Sequence, residues 1–416
     1  MAMTKEMIKL EFERVSESEQ HARLDQFLGR MKPRRQVKSY SSHAVSEKMI
    51  KKAILAAGTS PSGANQQPWS FVLVSEHELK KQIHKALGEN ESLIETAPYI
   101  VALFKQKHGL DKIEAGETLK IKHYYPNESA GICGGFFIAA LNQAGLDYNL
   151  HKPVKSLSRI LKRPENEEAF MLFSIGMAEE YEDSKNYRPV DHISSDIGFM
   201  VPSLDSNGMH QISADYYNSI RKRRNVRDFS TEQVDKTLLE KAFSALESSP
   251  FQDSYRFAII ADGDTKQKIR EKAEQEEKVF YEEKITDVWR DALKPLGTNW
   301  EKAHLTDAPF LIIVFKVNNV ADPGTIYSQK TKPIMASAVN TGILMSAIHH
   351  ANLCMLTHTP SPMTFLRELL DRPKNELPIV VVPVGYPAEN CEVPNINKKP
   401  LEDILTTITE REGETS

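Results

Sequence analysis

The sequence lacks the features that would mark a secreted, metal-bound or membrane protein. Its three cysteines, Cys133, Cys354 and Cys391, are odd in number, and their spacing fits neither a disulfide framework nor a zinc site. No run reaches the roughly 18–20 apolar residues that a membrane helix needs. Residues 1–9 have no apolar core of a secretion signal. We therefore expect a cytoplasmic protein with free thiols.

The sequence also lacks an excess of charge of one sign. It has 53 Lys and Arg residues against 57 Asp and Glu residues, a formal net charge of −4. Binding to nucleic acid or to anionic membranes normally requires a positive surplus. We expect no nucleic-acid partner and no membrane partner.

Common catalytic fingerprints are missing too. There is no GxGxxG or GxxxxGK[ST] motif, and no serine-hydrolase elbow. The 13 histidines show no zinc-ligand spacing, since His349 and His350 are adjacent and His358 has no partner at such a distance. We expect no metal, and any redox chemistry would need a bound organic cofactor.

What the sequence does contain is a long internal repeat. Residues 34–41 return as 223–230, residues 97–105 as 308–316, and the Arg-Pro pair at 163–164 as 372–373. Such ordered matches indicate a tandem duplication. We predict one half over residues 1–193, a linker over 194–211, and a second half over 212–416.

The same elements are predicted in both halves. They are a helix (45–57; 234–247), a short strand (70–75; 256–261), an apolar strand (99–105; 310–316), a small-residue helix (130–144; 335–351) and a closing strand (169–175; 379–384).

The second half carries an insertion. Phe71 and Ala97 are 26 positions apart, whereas their counterparts Phe257 and Ala308 are 51 apart, so 25 residues are added. The inserted block, about 274–300, is rich in glutamate and aromatic residues and is a candidate lid. A solvated charged helix is the alternative. With Lys302, the block offers an acid, a phenol and a cation that could hold a zwitterion.

Two further segments are candidates for binding. The arginine clusters at 34–35 and 223–227 could grip a phosphate, or they could be solvated turns. The turn over 60–69 could let its backbone approach a flat ligand and stabilise an oxyanion, or it could be an ordinary loop.

Three motifs carry a resemblance to a known family. The Arg-Arg-x-Val-Arg opening at 223–227, the Pro-Ser-Gly-Ala-x-x-x-Pro-Trp loop at 61–69 and the Gly-Tyr-Pro at 385–387 resemble the FMN-dependent nitroreductase superfamily, in its iodotyrosine deiodinase branch. The resemblance covers almost the whole chain, twice. It implies an α+β fold, a mixed sheet flanked by helices. Family members are homodimers with FMN sites built from both subunits, so it also implies two tandem copies that form an intramolecular pseudo-dimer with exchanged strands and helices.

The resemblance also implies site residues. The cofactor FMN would contact Arg223, Arg224, Asn225, Arg227, Pro61, Ser62, Gly63, Thr357, His358, Thr359 and Lys398. Of these, Thr359 would donate a hydrogen bond to the flavin N5, and Lys398 stands where the family usually has arginine. The Ala64 amide would stabilise a substrate phenolate. Glu277 would accept the substrate ammonium, and Tyr281 and Lys302 would hold its carboxylate.

The two halves have lost different parts of such a site. The second half keeps the arginines, the threonines and the lid, but its loop has shrunk to residues 248–252. The first half keeps the loop, has Arg34, Arg35, Gln36 and Lys38 at the arginine positions, and has Leu-His-Lys at 150–152 in place of Thr-His-Thr. We therefore expect one functional FMN site per chain, assembled from the intact parts, and a second site that is weakened or empty.

The leading functional hypothesis is reductive dehalogenation of a halogenated tyrosine or related halophenol, a small aromatic substrate. The electron donor would be NAD(P)H or a separate reductase. Two alternatives stay open: a general NAD(P)H-linked reductase of nitro, quinone or enone compounds, and a flavin-binding protein without catalysis.

Overall fold

The structure is a computed structural model that describes residues 7–31, 35–88, 91–112, 118–181, 206–318, 332–360 and 362–409. The strands are β1 (Met7–Lys9), β2 (Val37–Tyr40), β3 (Trp69–Val74), β4 (Tyr99–Gln106), β5 (His108–Lys112), β6 (Thr118–Lys122), β7 (Asp147–His151), β8 (Glu167–Gly176), β9 (Ala178–Tyr181), β10 (Tyr255–Ile260), β11 (Phe310–Val317), β12 (Cys354–Met355), β13 (Glu376–Gly385), β14 (Glu392–Pro394) and β15 (Leu405–Ile408). The helices are α1 (Glu17–Met31), α2 (Glu47–Gly58), α3 (His77–Leu87), α4 (Leu93–Thr96), α5 (Pro126–Gln143), α6 (Leu157–Ile160), α7 (Ser206–Ile220), α8 (Lys236–Phe243), α9 (Gly263–Val279), α10 (Asp287–Leu293), α11 (His304–Asp307), α12 (Lys332–His350), α13 (Phe365–Leu369) and α14 (Leu401–Ile404).

The chain divides into two compact units that are not contiguous in sequence. We call residues 29–221, 247–250 and 398–416 the N-half unit, and residues 1–28, 222–246 and 251–397 the C-half unit. The division assigns the first residues of the chain to the C-half unit and the last residues to the N-half unit. The predicted half boundaries at 193 and 212 remain predictions.

The N-half unit contains a mixed five-stranded sheet in the order β15-β3-β4-β8-β7. β15 runs parallel to β3, and the other neighbours are antiparallel. Every residue of β3 is buried, which is typical of a strand covered on both faces. Helix α5 is buried along nearly its whole length, and its Gly134 allows close packing because a Cβ there would lie 2.5 Å from Met171 Sδ.

The C-half unit contains a four-stranded antiparallel sheet in the order β10-β11-β13-β12. This order repeats β3-β4-β8-β7 of the N-half unit, strand for strand. The buried helix α12 packs on β11 and β10, as α5 packs on β4 and β3. The α+β fold with a mixed sheet flanked by helices, predicted from the sequence, is confirmed.

A helix from beyond its own repeat completes each unit. In the C-half unit, Gln20 of α1 donates from Nε2 to the Ala351 carbonyl and accepts from the Tyr386 hydroxyl, both at 2.9 Å. In the N-half unit, α7 packs against α2 and α5 and buries Tyr216 and Ile220. Helices assigned by sequence to one half therefore contribute to the core of the other.

The predicted linker, 194–211, is only partly covered by the described residues. Residues 194–205 lie outside them, whereas residues 206–211 form the first turns of α7 rather than a linker. Asn207 and Gly208 are poor helix formers, but tertiary packing commonly outweighs such local preferences. No helix in the described part of the chain combines the length and the apolar character needed to cross a bilayer.

The insertion of the second half is helical, as predicted. It continues α9 through a π-helical turn, Phe280–Lys284, into α10. Sequence reasoning missed α3 and the β5–β6 hairpin, and it extended one helix to residue 247 where α8 ends at Phe243 and a 3₁₀ turn, Ser244–Ser248, follows.

Candidate functional site

The arginine cluster and the threonine segment meet in the C-half unit. Asn225 forms a parallel bridge with Met355, and its Nδ2 donates to Thr357 Oγ1 at 3.2 Å. Arg223 Nη1 donates to Asn225 Oδ1 at 3.1 Å, so Asn225 connects the cluster to the threonine segment. These predicted cofactor residues, about 130 positions apart in sequence, are therefore neighbours.

The cluster concentrates positive charge in a buried place. The Arg223 side chain is buried, and its burial together with the charge of Arg224 lowers the pKa of Arg223 to about 10. Burial also lowers the pKa of Arg227. Buried guanidinium groups are best stabilised by an anion that accepts their hydrogen bonds, and phosphate matches their geometry. The donor set therefore fits the phosphate of a flavin nucleotide.

The segment Thr357-His358-Thr359 is extended. The His358 amide donates to the Val381 carbonyl, and the Val381 amide donates back, both at 2.8 Å. Successive side chains of an extended segment point to opposite faces, so the two threonines share a face and His358 points the other way. The His358 side chain approaches Glu277 of the inserted block, and the contact of His358 with the flavin stays a prediction.

The loop of the N-half unit has an unusual backbone. Ala64, Asn65 and Gln67 all have positive φ, with Ala64 at 47°, a conformation that non-glycine residues adopt only under constraint. In the turn of this loop, the Asn65 amide donates to the Ser62 carbonyl and the Gln66 amide donates to the Gly63 carbonyl. The Ala64 amide takes part in neither of these two bonds. This amide is the one predicted to face a phenolate.

Side chains hold this loop in place. Ser62 Oγ accepts from the Gln67 amide at 2.9 Å, and the Gly63 amide donates to Ser129 Oγ at 3.2 Å. A Cβ at Gly63 would lie 2.3 Å from the Tyr124 carbonyl oxygen, so this position requires glycine. Pro61 precedes the turn and is buried.

Lys398 also belongs to the N-half unit and contacts the loop. Its Nζ donates to the Ser60 carbonyl at 2.7 Å and to Asn65 Oδ1 at 3.4 Å. The neighbouring Lys399 donates from its amide to Gln67 Oε1 at 2.8 Å. The predicted C-terminal basic residue is therefore placed beside the predicted loop.

The three predicted substrate residues come together in the C-half unit. Lys302 Nζ lies 2.6 Å from Glu277 Oε2 and 5.5 Å from the centre of the Tyr281 ring. Lys302 and Glu277 are both buried, with 2% and 6% of their surface exposed. Lys302 Nζ also donates to the Asn299 carbonyl, and the Tyr281 hydroxyl donates to Thr298 Oγ1 at 3.4 Å. The three residues that the resemblance grouped therefore lie together in the structure.

Two histidines complete this cluster, and sequence reasoning did not assign them to it. His358 Nε2 lies 3.5 Å from Glu277 Oε1, and the His304 ring meets the His358 ring edge to face at 4.9 Å. The signals were present: His304 follows Lys302 by two residues, and His358 alternates with the two threonines. Sequence reasoning placed His358 with the expected flavin contacts and did not consider His304, so neither was linked to Glu277.

Burial determines the protonation of the cluster. It raises the pKa of Glu277 and lowers that of Lys302, while the attraction between the two charges acts against both shifts. Burial and nearby cations lower the pKa of His304 to about 3 and that of His358 well below its usual value, so both rings are neutral. Burial also raises the pKa of Tyr281, which keeps the phenol protonated.

The equivalent positions of the N-half unit are occupied differently. Arg34 lies outside the described residues, and Lys38 pairs with Glu180 at 2.9 Å. His151, the counterpart of His358, lies with Nε2 2.8 Å from Ser174 Oγ and with Nδ1 hydrogen-bonded to Glu91. Side chains of the unit itself therefore satisfy both nitrogens of this ring.

The repeated strand order and the buried cationic site define a duplicated α+β protein suited to a phosphate-bearing ligand. The chain belongs to the nitroreductase family, whose model matches residues 31–177 and 220–386, one match in each half. It is 40% identical over 192 residues to the iodotyrosine deiodinase of Haliscomenobacter hydrossis. This match covers 45% of this chain and 86% of that protein. It is 34% identical over 238 residues to human iodotyrosine deiodinase 1, covering 56% of this chain and 79% of that protein.

Among solved structures, the chain is similar to an oxidized iodotyrosine deiodinase bound to FMN and 3-iodo-L-tyrosine. The identity is 26%, the match covers 44% of this chain and 94% of that chain, and the TM-score is 0.38. A nitroreductase family protein of Streptococcus pneumoniae matches with 24% identity, 40% and 98% coverage, and a TM-score of 0.33.

Proposed function

We propose that this protein is an FMN-dependent oxidoreductase that removes halogen reductively from a halogenated tyrosine or a related halophenol. Membership of the nitroreductase family and the deiodinase relatives support the reaction class. The observation that carries the proposal is the buried Glu277–Lys302 pair beside Tyr281, which lies in the same unit as the arginine and threonine segments.

The cluster is suited to the two charges of an amino acid. Glu277 offers a carboxylate to an ammonium group, and Lys302 offers an ammonium to a carboxylate, with the Tyr281 hydroxyl as a further donor. Without a ligand the two charges neutralise each other across 2.6 Å. A zwitterion can replace this pair with two new pairs, whereas a ligand with one charge leaves a buried partner unpaired, which is costly.

Other residues act on the phenol and the cofactor. Bound FMN, once reduced, supplies the electrons for the reaction. The Ala64 amide would donate to the phenolate oxygen, and Thr359 would donate to the flavin N5. The phosphate and ribityl groups would be held by Arg223, Arg224, Asn225 and Arg227.

We further propose that the halves form an intramolecular pseudo-dimer with one composite flavin site. That site combines the arginines, the threonines and the lid of the second half with the loop 61–64 and Lys398. The support is the complementary loss in sequence, and the internal hydrogen bonds that occupy His151 in the first half. Flavin absorbance of the purified protein tests this, with one FMN per chain expected. Two FMN per chain would contradict it.

The activity is tested by iodide release from iodotyrosine with dithionite as reductant. Wild type is expected to release iodide, and Glu277→Gln and Lys302→Met are expected to raise KM at least tenfold, because each leaves a buried charge unpaired. Glu271→Gln and Lys272→Met, at exposed positions of α9, which also carries Glu277, are matched controls that should keep wild-type values. No iodide release by the flavin-loaded wild type would contradict the proposal.

A general reductase is the second candidate, because the mutual neutralisation of Glu277 and Lys302 would let the site accept an uncharged aromatic ring. It predicts flavin reduction by NADH alone, turnover of nitroaromatic or quinone acceptors, and equal activity of wild type and Glu277→Gln. If NADH does not reduce the flavin, a separate reductase is the donor. A protein that binds FMN but turns over neither substrate class would be a flavin-binding protein only.

A further inference from the structure

Among the residues that the structure describes, a side chain bonds one oxygen of the Glu277 carboxylate. Oε2 is bound by Lys302 Nζ at 2.6 Å, whereas Oε1 lies 3.5 Å from His358 Nε2, just beyond hydrogen-bonding distance. His358 is 8% exposed and His304 is 5% exposed. Among the described residues, the Nε2 atoms of both rings have no hydrogen-bond partner. Such unpaired buried polar atoms need an explanation.

The groups that face His358 keep its ring uncharged. In the described part of the chain they are Lys302, His304 and Arg227, with the Glu277 carboxylate beside them, and the charge of Arg270 lowers the pKa of His304. A neutral imidazole that carries its proton on Nε2 can donate a hydrogen bond without bringing a further charge into the cluster. His358 is therefore a donor that does not compete with a ligand ammonium for Glu277.

A zwitterionic ligand creates the need for such a donor. Its carboxylate draws Lys302 Nζ away from Glu277 Oε2 and its ammonium takes that place, and a further donor at Oε1 favours the ionised form of the buried carboxylate during this exchange. Protonated Glu277 would no longer attract the ligand ammonium. Shortening the distance between His358 Nε2 and Glu277 Oε1 by about 0.6 Å would make an ordinary hydrogen bond.

We propose that His358 is a positioning residue for Glu277. When Lys302 binds the ligand carboxylate, His358 Nε2–H donates a hydrogen bond to Glu277 Oε1. This bond keeps Glu277 ionised and oriented toward the ligand ammonium. The His304 ring, packed edge to face at 4.9 Å, fixes the His358 ring. The ligand part of this inference rests on the proposed function, whereas the proton position on His358 does not.

The test compares His358→Phe, His358→Gln and the control His77→Phe, an exposed histidine in the N-half unit. Binding of iodotyrosine and of an iodophenol without the amino-acid group is measured on FMN-loaded protein, by flavin fluorescence from pH 5 to 8. For His358→Phe we expect a loss of iodotyrosine affinity of about tenfold at pH 7, the size of one hydrogen bond to a charged group. The pH below which iodotyrosine affinity falls, the acid limb of the binding profile, should rise by about one unit in this variant.

The conservative variant separates positioning from packing. His358→Gln keeps a neutral donor and should restore most of the affinity and the wild-type pH profile, and iodophenol binding should change less than about twofold in all variants. Equal losses for both ligands, or an unshifted acid limb in His358→Phe, would overturn the proposal.

If the proposed function is wrong, wild type itself does not bind iodotyrosine, and this result distinguishes it from a failure of the His358 inference alone. In that case the ring nitrogen shifts of His358, measured by NMR on ligand-free protein, decide the inference. A proton on Nε2 supports the donor role, and a proton on Nδ1 overturns it.

Discussion

At the scale of single residues, His304 is an ionisable group that is buried without an acid to balance its charge. His304 lies among Lys302, Arg227 and Arg270, which all oppose its protonation. An imidazole that is neutral when folded and charged when unfolded links stability to pH. The sign follows from the lowered pKa: the unfolded chain binds more protons between about pH 6.5 and 3, so stability is lost as pH falls through that window.

We therefore expect the free energy of unfolding to decrease as pH falls from 6.5 toward 4. His304 contributes about 1.4 kcal/mol per pH unit to this slope. His304→Phe should flatten the slope by that amount, and exposed His77→Phe should leave it unchanged. Denaturant unfolding at several pH values measures the slopes. Equal slopes for wild type and His304→Phe would show that the ring is protonated in the folded state.

Residue spacing predicted part of the site. The family resemblance grouped Glu277, Tyr281 and Lys302, and their spacing fits that pattern because one helix and the segment after it carry all three. The contact between Glu277 and His358 was not predictable in this way, because it joins segments 81 positions apart. Only the tertiary fold determines which of the two faces of an extended segment meets a helix.

At the scale of elements, the loop after α2 depends on close backbone packing. Gly63 lies against the Tyr124 carbonyl, and the following residues adopt left-handed conformations. The Gln66 side chain joins the loop to the segment before α5, since its Oε1 accepts from the Tyr124 amide at 2.7 Å and its Nε2 donates to the Lys122 carbonyl at 2.8 Å. The loop geometry is therefore set by this contact.

Gly63→Ala should displace the loop, because its Cβ would be 2.3 Å from a backbone oxygen that has little freedom to move. We expect a stability loss of about 1–3 kcal/mol and weaker FMN binding. Gly263→Ala is the matched control, since nothing lies within 4 Å of a Cβ at this first residue of α9. Thermal unfolding and flavin titration measure both effects. A Gly63→Ala protein with unchanged FMN affinity would exclude the loop from the flavin site.

At the scale of the whole molecule, duplication explains both the length and the matching sheets. The sequence predicted the repeated strands well, since β4 and β11 begin at the predicted residues and end one residue later. It did not predict β15, because the run Leu405–Ile408 is short and gains its strand geometry only by pairing with β3. The helical start at Ser206 was missed for the same reason, since packing on α2 and α5 overrides local sequence.

The C-terminal segment should be essential for the N-half unit. Truncation after Asn397 removes β15, exposes the edge of the buried strand β3, and deletes the bond from Arg163 Nη1 to Thr406 Oγ1. We expect a melting temperature lower by at least about 5 °C and a tendency to aggregate through the open edge. Truncation after Thr409 keeps β15 and should match the full chain. A stable, monomeric protein that ends at Asn397 would contradict this role.

The assignment of both chain ends to the opposite unit has a consequence for how this protein can be divided. A single break between the two repeats, anywhere in residues 194–211, cannot yield a fragment with all the residues of either unit, because the C-half unit includes residues 1–28 and the N-half unit includes residues 398–416. Deleting either repeat at that point would therefore also remove a terminal segment of the unit that remains.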